Sequence, residues 1–264
     1  MSETSQPAFD LSGKVALVTG ASRGIGAAIA TCYARAGARV AVTARSLESL
    51  QDITTAIEAD GGQALPLAAH SGDRDAVNQA LIEVEKAFGG IDILVNNAAT
   101  NPHFGPVLDA DETLWDKILD VNVKGYARWV RASVPSMRQR GGGKVINVAS
   151  ILGLAPGEGM GLYAISKAAV LMLTKALATE LADDDIQVNA LAPGFIKTRF
   201  SAALWADEAR SAALNSRIPQ GRVGEAGELT GMALYLAAPA SSFTTGSVFV
   251  IDGGHCAGSL NIGG

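Results

Sequence analysis

Apolar, β-branched segments alternate with segments of helical pattern along almost the whole chain, and no other feature restricts the fold as strongly. Strands separated by a helix can pair in parallel, whereas a tight hairpin joins only antiparallel strands. A parallel sheet is stable when helices cover both of its faces. The sequence therefore predicts an α/β fold, doubly wound around a parallel sheet of about seven strands. The predicted strands are 13–20, 39–45, 63–69, 91–99, 143–150, 186–194 and 246–254.

The segments between these strands have the apolar spacing of helices. The longest, 112–140, is expected to kink near Gly125 or Pro135. Since no linker or change of composition divides the chain, we expect a single domain at 10–264, preceded by a flexible tail at 1–9. The predicted helices are 24–38, 47–61, 74–89, 112–140, 161–182 and 227–238, with one or two short helices within 199–218.

Composition argues against several classes of function. The chain of 264 residues has a net charge of −5 and no basic run, so we expect no nucleic-acid partner. Its two cysteines and three histidines lack the spacing of metal ligands, so we expect no metal. No apolar run of membrane-spanning length and no signal peptide is visible, which predicts a cytoplasmic protein with no membrane partner.

A glycine-rich turn joins the first predicted strand to the first predicted helix. Its sequence, TGASRGIG (19–26), has glycines at 20, 24 and 26. Such a turn lets the backbone approach a pyrophosphate at a helix N-terminus, where free N–H groups and the helix dipole favour an anion. A purely structural turn is the alternative. The position between an N-terminal strand and a helix favours dinucleotide binding and a Rossmann fold.

The residues that follow the second predicted strand bear on the choice of cofactor. NAD enzymes usually have an acidic residue there, which accepts a hydrogen bond from the ribose 2′-hydroxyl. This chain has Ala44, Arg45 and Ser46, and Arg23 lies in the glycine-rich turn. Two guanidinium groups suit a 2′-phosphate. The alternative is two solvated arginines at helix starts, where the helix dipole disfavours a cation. We therefore predict NADP(H) as the cofactor.

A tyrosine and a lysine interrupt the apolar segment LYAISKAAVLML (162–173). Tyr163 and Lys167 are four residues apart, which places them on one face of a helix. The pair alone favours a lysine that extends past a core tyrosine toward water. Ser150 ends the fifth predicted strand, at the sheet edge where ligands bind in open α/β sheets. Asn122 lies in the long helix, where a lone asparagine is usually solvent-facing.

In their order along the chain, these motifs resemble the short-chain dehydrogenase/reductase family from about Leu11 to Gly254. The segments LVNNAATNPHFGP and LAPGFIKTRFSAALW are similar to the NADPH-dependent carbonyl/retinal reductase subgroup. Two positions depart from the family pattern: Ala99 replaces a glycine, and His70 replaces an aspartate that contacts the adenine. The matching positions are TGASRGIG (19–26), Asn122, Ser150, YAISK (163–167), PGFIKT (193–198) and IDGG (251–254).

The resemblance implies hydride transfer between NADP(H) and a carbonyl or alcohol. Tyr163 would be the acid and base, with a pKa lowered by Lys167 and by the oxidised nicotinamide. Lys167 would also hold the nicotinamide ribose, Ser150 the substrate oxygen, and Asn122 a water that relays protons. Relatives are usually homotetramers or homodimers built on two long helices. The implied cofactor-binding residues are Gly20, Ser22, Arg23, Gly24, Ile25, Gly26, Arg45, Ser46, Asn97, Ala98, Tyr163, Lys167, Pro193, Gly194, Ile196 and Thr198.

Apolar residues near the same sheet edge predict an apolar substrate. The segment around Phe200, Leu204 and Trp205 reads as a mobile lid, and packing within the lid or against another subunit is an equal alternative. A 3-oxoacyl thioester reductase would use the same chemistry. A non-catalytic dinucleotide-sensing regulator would be expected to lack the catalytic residues, and a hydrolase lacks its G-x-S-x-G motif here. The predicted substrate contacts are Ser150, Ile151, Leu152, Phe195, Phe200, Leu204 and Trp205.

Overall fold

A computed structural model describes residues 8–198 and 208–257 of the chain. Seven of its strands form one parallel sheet, in the order β3-β2-β1-β4-β5-β6-β9, and β7 pairs with β8 in a separate small sheet. The strands are β1 (Val15–Thr19), β2 (Arg39–Ala44), β3 (Gln63–Ala68), β4 (Ile93–Asn96), β5 (Gly143–Val148), β6 (Ile186–Pro193), β7 (Ile196–Lys197), β8 (Gly224–Glu225) and β9 (Val248–Ile251).

Eight α-helices connect the strands within the described part of the chain. They are α1 (Gly24–Arg35), α2 (Gln51–Ala59), α3 (Arg74–Phe88), α4 (Glu112–Leu119), α5 (Gly125–Gln139), α6 (Gly161–Glu180), α7 (Glu208–Asn215) and α8 (Thr230–Ala237). Short 3₁₀ turns are Glu48–Leu50, Val107–Asp109, Ile151–Gly153, Ala182–Asp184, Ala226–Leu229, Pro239–Ser241 and His255–Ala257.

The predicted fold class is confirmed: this is a single Rossmann-like domain with a seven-stranded parallel sheet. Helices cover both sheet faces, because β1, β4 and β5 are apolar on both sides and must be shielded from water. One face packs against α1 and α8, and the other against α3 and α5. The strand order reverses direction between β1 and β4, and in such sheets the ligand cleft opens at this switch point.

The long helix predicted at 112–140 is a more complex element. A five-residue π turn, Asp120–Lys124, separates α4 from α5, so the irregularity lies just before Gly125. Pro135 lies inside α5, which continues to Gln139. An inserted residue of this kind is a π-bulge, and such bulges are frequent at functional sites.

A second difference from the sequence prediction follows β6. Ile196 pairs with Gly224, and Lys197 pairs with Glu225, so that β7 and β8 form a two-residue parallel ladder. The Gly224 N–H also donates to the Phe195 carbonyl oxygen at 2.9 Å. These strands are too short to give a periodic signal in the sequence. The predicted tail at 1–9 lies almost entirely outside the described residues.

Two buried asparagines join the central strands to α6. Asn96 of β4 donates its side-chain amide to the Asn147 side-chain oxygen of β5 at 3.0 Å. Asn147 in turn donates to the Thr174 hydroxyl of α6 at 2.9 Å. These bonds fix the position of α6 relative to the ends of β4 and β5.

By length and composition, α6 is the one helix in the described ranges that could cross a membrane. Half of the relevant stretch is buried in the fold. Core helices of soluble proteins pass the same test, so this is weak evidence for a membrane span.

Candidate active site

The glycine-rich turn leaves the N-terminus of α1 open to an anion. Gly20 and Gly24 have φ angles of +64° and +60°, which favour glycine. Arg23 is the N-cap residue, and no side chain caps the helix or places an acidic group in its first turn. The first N–H groups of α1 are therefore not bonded by a capping side chain and can donate to an anion. A dinucleotide pyrophosphate fits this arrangement.

Asn97, after β4, closes one side of this turn. Its side-chain amide donates to the carbonyl oxygens of Thr19 and Gly20 at 2.9 and 3.0 Å. The Thr19 hydroxyl accepts the N–H groups of Asn97 and Ala98 at 2.9 and 3.1 Å. A Cβ atom at Gly26 would lie only 2.5 Å from the Asn97 amide nitrogen. The glycine at 26 is therefore needed for close packing.

The two arginines at the end of β2 and in the glycine-rich turn are exposed. The Ala21 N–H donates to the Thr43 carbonyl oxygen at 3.0 Å, which brings the glycine-rich turn beside the end of β2. Ala44 is buried, whereas Arg23, Arg45 and Ser46 are exposed. Neither arginine forms an ion pair within the described ranges. Both guanidinium groups are thus available to a phosphate.

His70 is part of a tight turn between β3 and α3. Its Nδ1 accepts the Gly72 N–H at 3.1 Å, so in this tautomer the proton is on Nε2. The His70 carbonyl oxygen accepts the Asp73 N–H, and Asp73 caps α3 through bonds to two N–H groups. The ring is exposed and shapes the loop itself.

Lys167 lies beneath Tyr163, on the same face of α6, as the four-residue spacing predicted. Its ammonium nitrogen is 5.6 Å from the centre of the Tyr163 ring. The same nitrogen donates to the Val148 carbonyl oxygen at 2.8 Å and to the Tyr126 hydroxyl at 3.3 Å. Lys167 is only 1% exposed, so its charged end does not reach water. The alternative of a lysine that extends to solvent is therefore wrong.

Burial acts in opposite directions on the two pKa values. It raises the pKa of the Tyr163 phenol well above its ordinary value and lowers the pKa of Lys167 to about 7. The sequence predicted a lowered tyrosine pKa. For the protein's own groups that direction is wrong, because the loss of hydration around a phenolate outweighs the attraction of the nearby ammonium.

Asn122 lies in the π turn and is completely buried, so it is not a solvent-facing residue. Its side chain accepts the Thr100 N–H at 2.8 Å and donates to the Thr100 carbonyl oxygen at 3.0 Å. It also donates to the Ser166 hydroxyl at 3.1 Å, and that hydroxyl donates to the Tyr163 carbonyl oxygen at 2.7 Å. Asn122 thus links the loop after β4 to the turn of α6 that carries Tyr163.

Ser150 lies beyond the end of β5 and caps the 3₁₀ turn Ile151–Gly153. Its hydroxyl oxygen accepts the Leu152 N–H at 3.1 Å, and the hydroxyl proton has no acceptor among the residues the structure describes. A Cβ atom at Gly153 would lie 2.8 Å from the Lys167 carbonyl oxygen. This close packing holds the Ser150 turn against α6.

The segment after β6 returns to the glycine-rich turn. A Cβ atom at Gly24 would lie 3.2 Å from the Thr198 methyl group, so these two segments face each other. Gly194 donates its N–H to the Ile251 carbonyl oxygen at 2.9 Å, which ties the segment to β9. Pro193 ends β6, and Ile196 is buried. The predicted cofactor-binding residues therefore lie around one sheet edge, on loops, at the start of α1 and on α6.

The predicted substrate contacts are only partly described. Ile151 is 5% exposed, so it packs inside the protein, whereas Leu152 is half-buried. Phe195 packs edge-on against His255, with ring centres 5.2 Å apart. The other three predicted contacts, Phe200, Leu204 and Trp205, lie outside the described residues.

Sequence reasoning missed two polar residues here. Tyr126, in the first turn of α5, bonds Lys167. Asn101 donates to the Met160 sulfur at 3.3 Å, just before α6, and its own buried side-chain oxygen has no partner among the described residues. Tyr126 belongs to no motif, and Asn101 lies within LVNNAATNPHFGP without a predicted role, so only contact across the fold reveals what they bond.

Known proteins are similar to this chain along nearly its whole length. Residues 20–255 match a family model described as enoyl-(acyl carrier protein) reductase. Dehydrogenase/reductase SDR family member 4 of Oryctolagus cuniculus is 43% identical over 244 residues, covering 92% of this chain and 94% of that protein.

Two solved structures are similar in both sequence and fold. A short-chain type dehydrogenase/reductase from Mycobacterium marinum is 44% identical, with a TM-score of 0.85, and the match covers 94% of this chain and 97% of that one. A gluconate 5-dehydrogenase from Burkholderia cenocepacia J2315, in complex with NADP and tartrate, is 36% identical, with a TM-score of 0.90 and coverage of 95% and 98%.

Proposed function

This chain belongs to the short-chain dehydrogenase/reductase family of oxidoreductases, and we propose that it transfers a hydride between NADP(H) and a carbonyl or alcohol that is apolar beyond its reacting group. One observation carries the proposal. The Lys167 ammonium is buried beside the Tyr163 ring, under the turn that begins with Ser150. Burying a charge is unfavourable without compensating partners, and such sites are usually functional.

The loops at the sheet edge would hold the dinucleotide. The uncapped N–H groups of α1 would bind the pyrophosphate, and the exposed Arg23 and Arg45 would bind a 2′-phosphate, with Ser46 beside them. Tyr163 and Lys167 would contact the nicotinamide ribose. When bound, the nicotinamide supplies or accepts the hydride.

Tyr163 would move the proton. Burial raises its pKa, so the phenol is protonated at neutral pH and can donate to the oxygen of a carbonyl. The phenolate that forms is stabilised by the Lys167 ammonium, provided that Lys167 is charged. The raised pKa supports carbonyl reduction at neutral pH, whereas alcohol oxidation would be favoured at alkaline pH.

Ser150 would orient the substrate oxygen. Its hydroxyl oxygen already accepts the Leu152 N–H, which leaves its proton to donate to the substrate oxygen. Asn122 would fix Tyr163 by holding Ser166, in addition to the water relay that the family resemblance implies. Leu152 and Phe195, with Phe200, Leu204 and Trp205, would form the apolar part of the pocket.

A panel of substrates tests this function. Purified protein would be mixed with NADPH or NADH and apolar ketones and aldehydes, or with NADP or NAD and the corresponding alcohols and gluconate, and the absorbance of reduced nicotinamide followed. We expect turnover of apolar carbonyls with NADPH. Cofactor binding without turnover of any member would contradict the proposal and favour a dinucleotide-sensing regulator. Turnover of gluconate alone would contradict the apolar pocket.

A second candidate function is the reduction of a 3-oxoacyl thioester. The family model that matches residues 20–255 is described as enoyl-(acyl carrier protein) reductase, which names an acyl thioester with an enoyl rather than a 3-oxo group, and the shared thioester favours this candidate. An acetoacetyl thioester belongs in the same panel. Much faster turnover of the thioester than of simple ketones would replace the first candidate with this one.

We also propose that the chain forms a homodimer or homotetramer through its long helices. Ile165 and Met172, both on α6, are 41% and 64% exposed and lie seven residues apart on one helix face. An apolar face of this kind is covered in many oligomers. Light scattering coupled to size-exclusion chromatography measures the mass, and a monomer would contradict the proposal.

A further inference from the structure

Tyr126 contacts the Lys167 ammonium in two ways. Its hydroxyl oxygen accepts a hydrogen bond from Lys167 Nζ at 3.3 Å, and Nζ lies 5.2 Å from the centre of its ring. The Tyr126 hydroxyl also donates to the Val148 carbonyl oxygen at 2.9 Å, the same oxygen that Lys167 bonds at 2.8 Å. Phenol, ammonium and carbonyl thus form a closed triangle behind the proposed catalytic tyrosine.

We propose that Tyr126 is a positioning residue, whose hydroxyl holds the Lys167 ammonium in place and in its charged form beneath Tyr163. The structural part of this inference depends only on the contacts around Lys167. Its consequence for catalysis rests on the proposed function.

A second buried tyrosine shows what is particular to Tyr126. Tyr33 is also completely buried, and its hydroxyl donates to the Ala233 carbonyl oxygen at 2.8 Å. A buried phenol that bonds one backbone carbonyl is an ordinary core residue. Of these two tyrosines, only Tyr126 also accepts a hydrogen bond from a buried cation. Comparing Tyr126 with Tyr33 therefore distinguishes a role in packing from a role toward Lys167.

Lys167 needs such a partner because its surroundings disfavour charge. Burial lowers its pKa to about 7, so small changes in its contacts change its charge at neutral pH. The titratable groups that face it are Tyr126 from α5 and Tyr163 from α6. The end of β5 contributes the Val148 carbonyl oxygen as a hydrogen-bond acceptor. The 3₁₀ turn Ile151–Gly153 packs against the Lys167 backbone through Gly153 and brings no charge. No described carboxylate forms an ion pair with Lys167.

The test compares Tyr126→Phe with Tyr33→Phe. Each variant loses one buried hydroxyl and keeps its ring, so a purely structural effect lowers thermal stability in both. The titration of Lys167 is followed through the ¹³Cε resonances of labelled lysine, and its signal is the one absent from Lys167→Met. We expect Tyr126→Phe to lower the titration midpoint by about one pH unit, as loss of a bond to a charged group implies, and Tyr33→Phe to leave it unchanged.

Activity measurements add the catalytic consequence. In carbonyl reduction, the limb of the pH–rate profile that follows deprotonation of Lys167, near pH 7 in the wild type, should move downward in Tyr126→Phe, because the charge that stabilises the Tyr163 phenolate is lost at lower pH, and stay in place in Tyr33→Phe. An unchanged Lys167 midpoint in Tyr126→Phe would overturn the inference. A shifted midpoint in a protein that turns over no substrate would support it and contradict only the proposed function.

Discussion

The Lys167 ammonium nitrogen lies 5.6 Å from the centre of the Tyr163 ring, and both residues are almost fully buried. Water does little to stabilise the charged form of either group. The stability of each charged form therefore depends on the other group and on the few polar atoms around it. A proton that leaves the phenol creates an ion pair where there was an isolated cation. This relationship makes the pair a candidate for proton transfer.

Replacement of Tyr163 by phenylalanine removes only the hydroxyl. We expect turnover to fall at least about 100-fold, the usual contribution of a general acid, with little change in cofactor affinity. Stopped-flow or steady-state rates and cofactor titration by fluorescence measure both. Tyr235→Phe is the matched control, because the Tyr235 hydroxyl bonds Thr244 at 2.8 Å, apart from the proposed proton path. Near-normal turnover in Tyr163→Phe would rule out the assigned role.

The pKa of Lys167 predicts a dependence of stability on pH. It is about 7 in the folded protein, against 10.5 for an ordinary lysine, so the unfolded chain binds more protons between these values. The free energy of unfolding should therefore rise with pH across this window. In Lys167→Met this contribution is absent, so between pH 7 and 9 wild type should gain up to about 1.4 kcal/mol per pH unit relative to the variant. Parallel urea-denaturation results at all pH values would contradict the buried, titrating lysine.

Cofactor choice is predicted from the residues after β2. Two arginines on a doubly charged phosphate contribute about 2–4 kcal/mol, or roughly thirty- to several-hundred-fold in favour of NADP(H). Arg45→Ala should remove most of this preference, and Ala44→Asp should turn it toward NAD(H) by repelling the phosphate. The readout is kcat/KM for both cofactors.

The control for this prediction is Arg35→Ala. Arg35 is an exposed arginine at the end of α1, paired with Asp60 at 2.7 Å, and it lies away from the start of α1. Its loss should leave the cofactor ratio unchanged. Equal kcat/KM for NADPH and NADH in the wild type would show that Arg23 and Arg45 do not bind a phosphate.

Replacement of two helical glycines by alanine should change the stability of the fold in opposite directions. At Gly26 a Cβ atom would lie 2.5 Å from Asn97 and 2.6 Å from the Gly20 carbonyl oxygen, so Gly26→Ala should destabilise the fold by about 1–3 kcal/mol and weaken cofactor binding. At Gly231 in α8, nothing lies within 4 Å of the same atom. Gly231→Ala should stabilise by about 0.5–1 kcal/mol through helix propensity. Thermal and urea denaturation measure both, and two changes of the same sign would contradict the close approach at Gly26.

Two partly or fully buried asparagines should also differ. The Asn101 side-chain oxygen is buried without a partner among the described residues, so Asn101→Leu should cost little or raise stability. Asn147 is bonded on both sides, to Asn96 and Thr174, so Asn147→Leu removes two buried hydrogen bonds and should cost about 1–3 kcal/mol, since Asn96 and Thr174 each keep one backbone carbonyl partner. Denaturation at neutral pH compares them. A larger loss for Asn101→Leu would show that the Asn101 side-chain oxygen has a structural partner.

The sequence predicted the regular elements well, because a buried parallel strand is a continuous apolar run and its helix has a clear period. The pairing of Tyr163 with Lys167 followed from helical spacing alone. The π turn around Asn122 could not be predicted, since one extra residue in a helix leaves no pattern in the sequence. Tyr126 was missed because its contact with Lys167 joins α5 to α6 across the fold.

The direction of the Tyr163 pKa was also wrong from sequence. A four-residue spacing shows that an ammonium is near, but it does not show that both groups are almost fully buried. The magnitude of desolvation depends on everything packed around the pair, which only the fold defines. Charge partners can thus be inferred from a motif, whereas the balance between partner and burial cannot.

The pairing of β7 with β8 brings together the two ends of the segment that connects them. β7 and β8 lie side by side, and in the described part of the chain between them Ile218 is buried and the Gln220 N–H donates to the Gly253 carbonyl oxygen at 3.1 Å. The ladder of Ile196 with Gly224 and of Lys197 with Glu225 holds both ends of this segment, and doubling the length of a loop costs only about 0.6 kcal/mol. Changes of length in this segment could therefore alter the proposed substrate pocket while the sheet edge that carries the proposed catalytic residues stays the same.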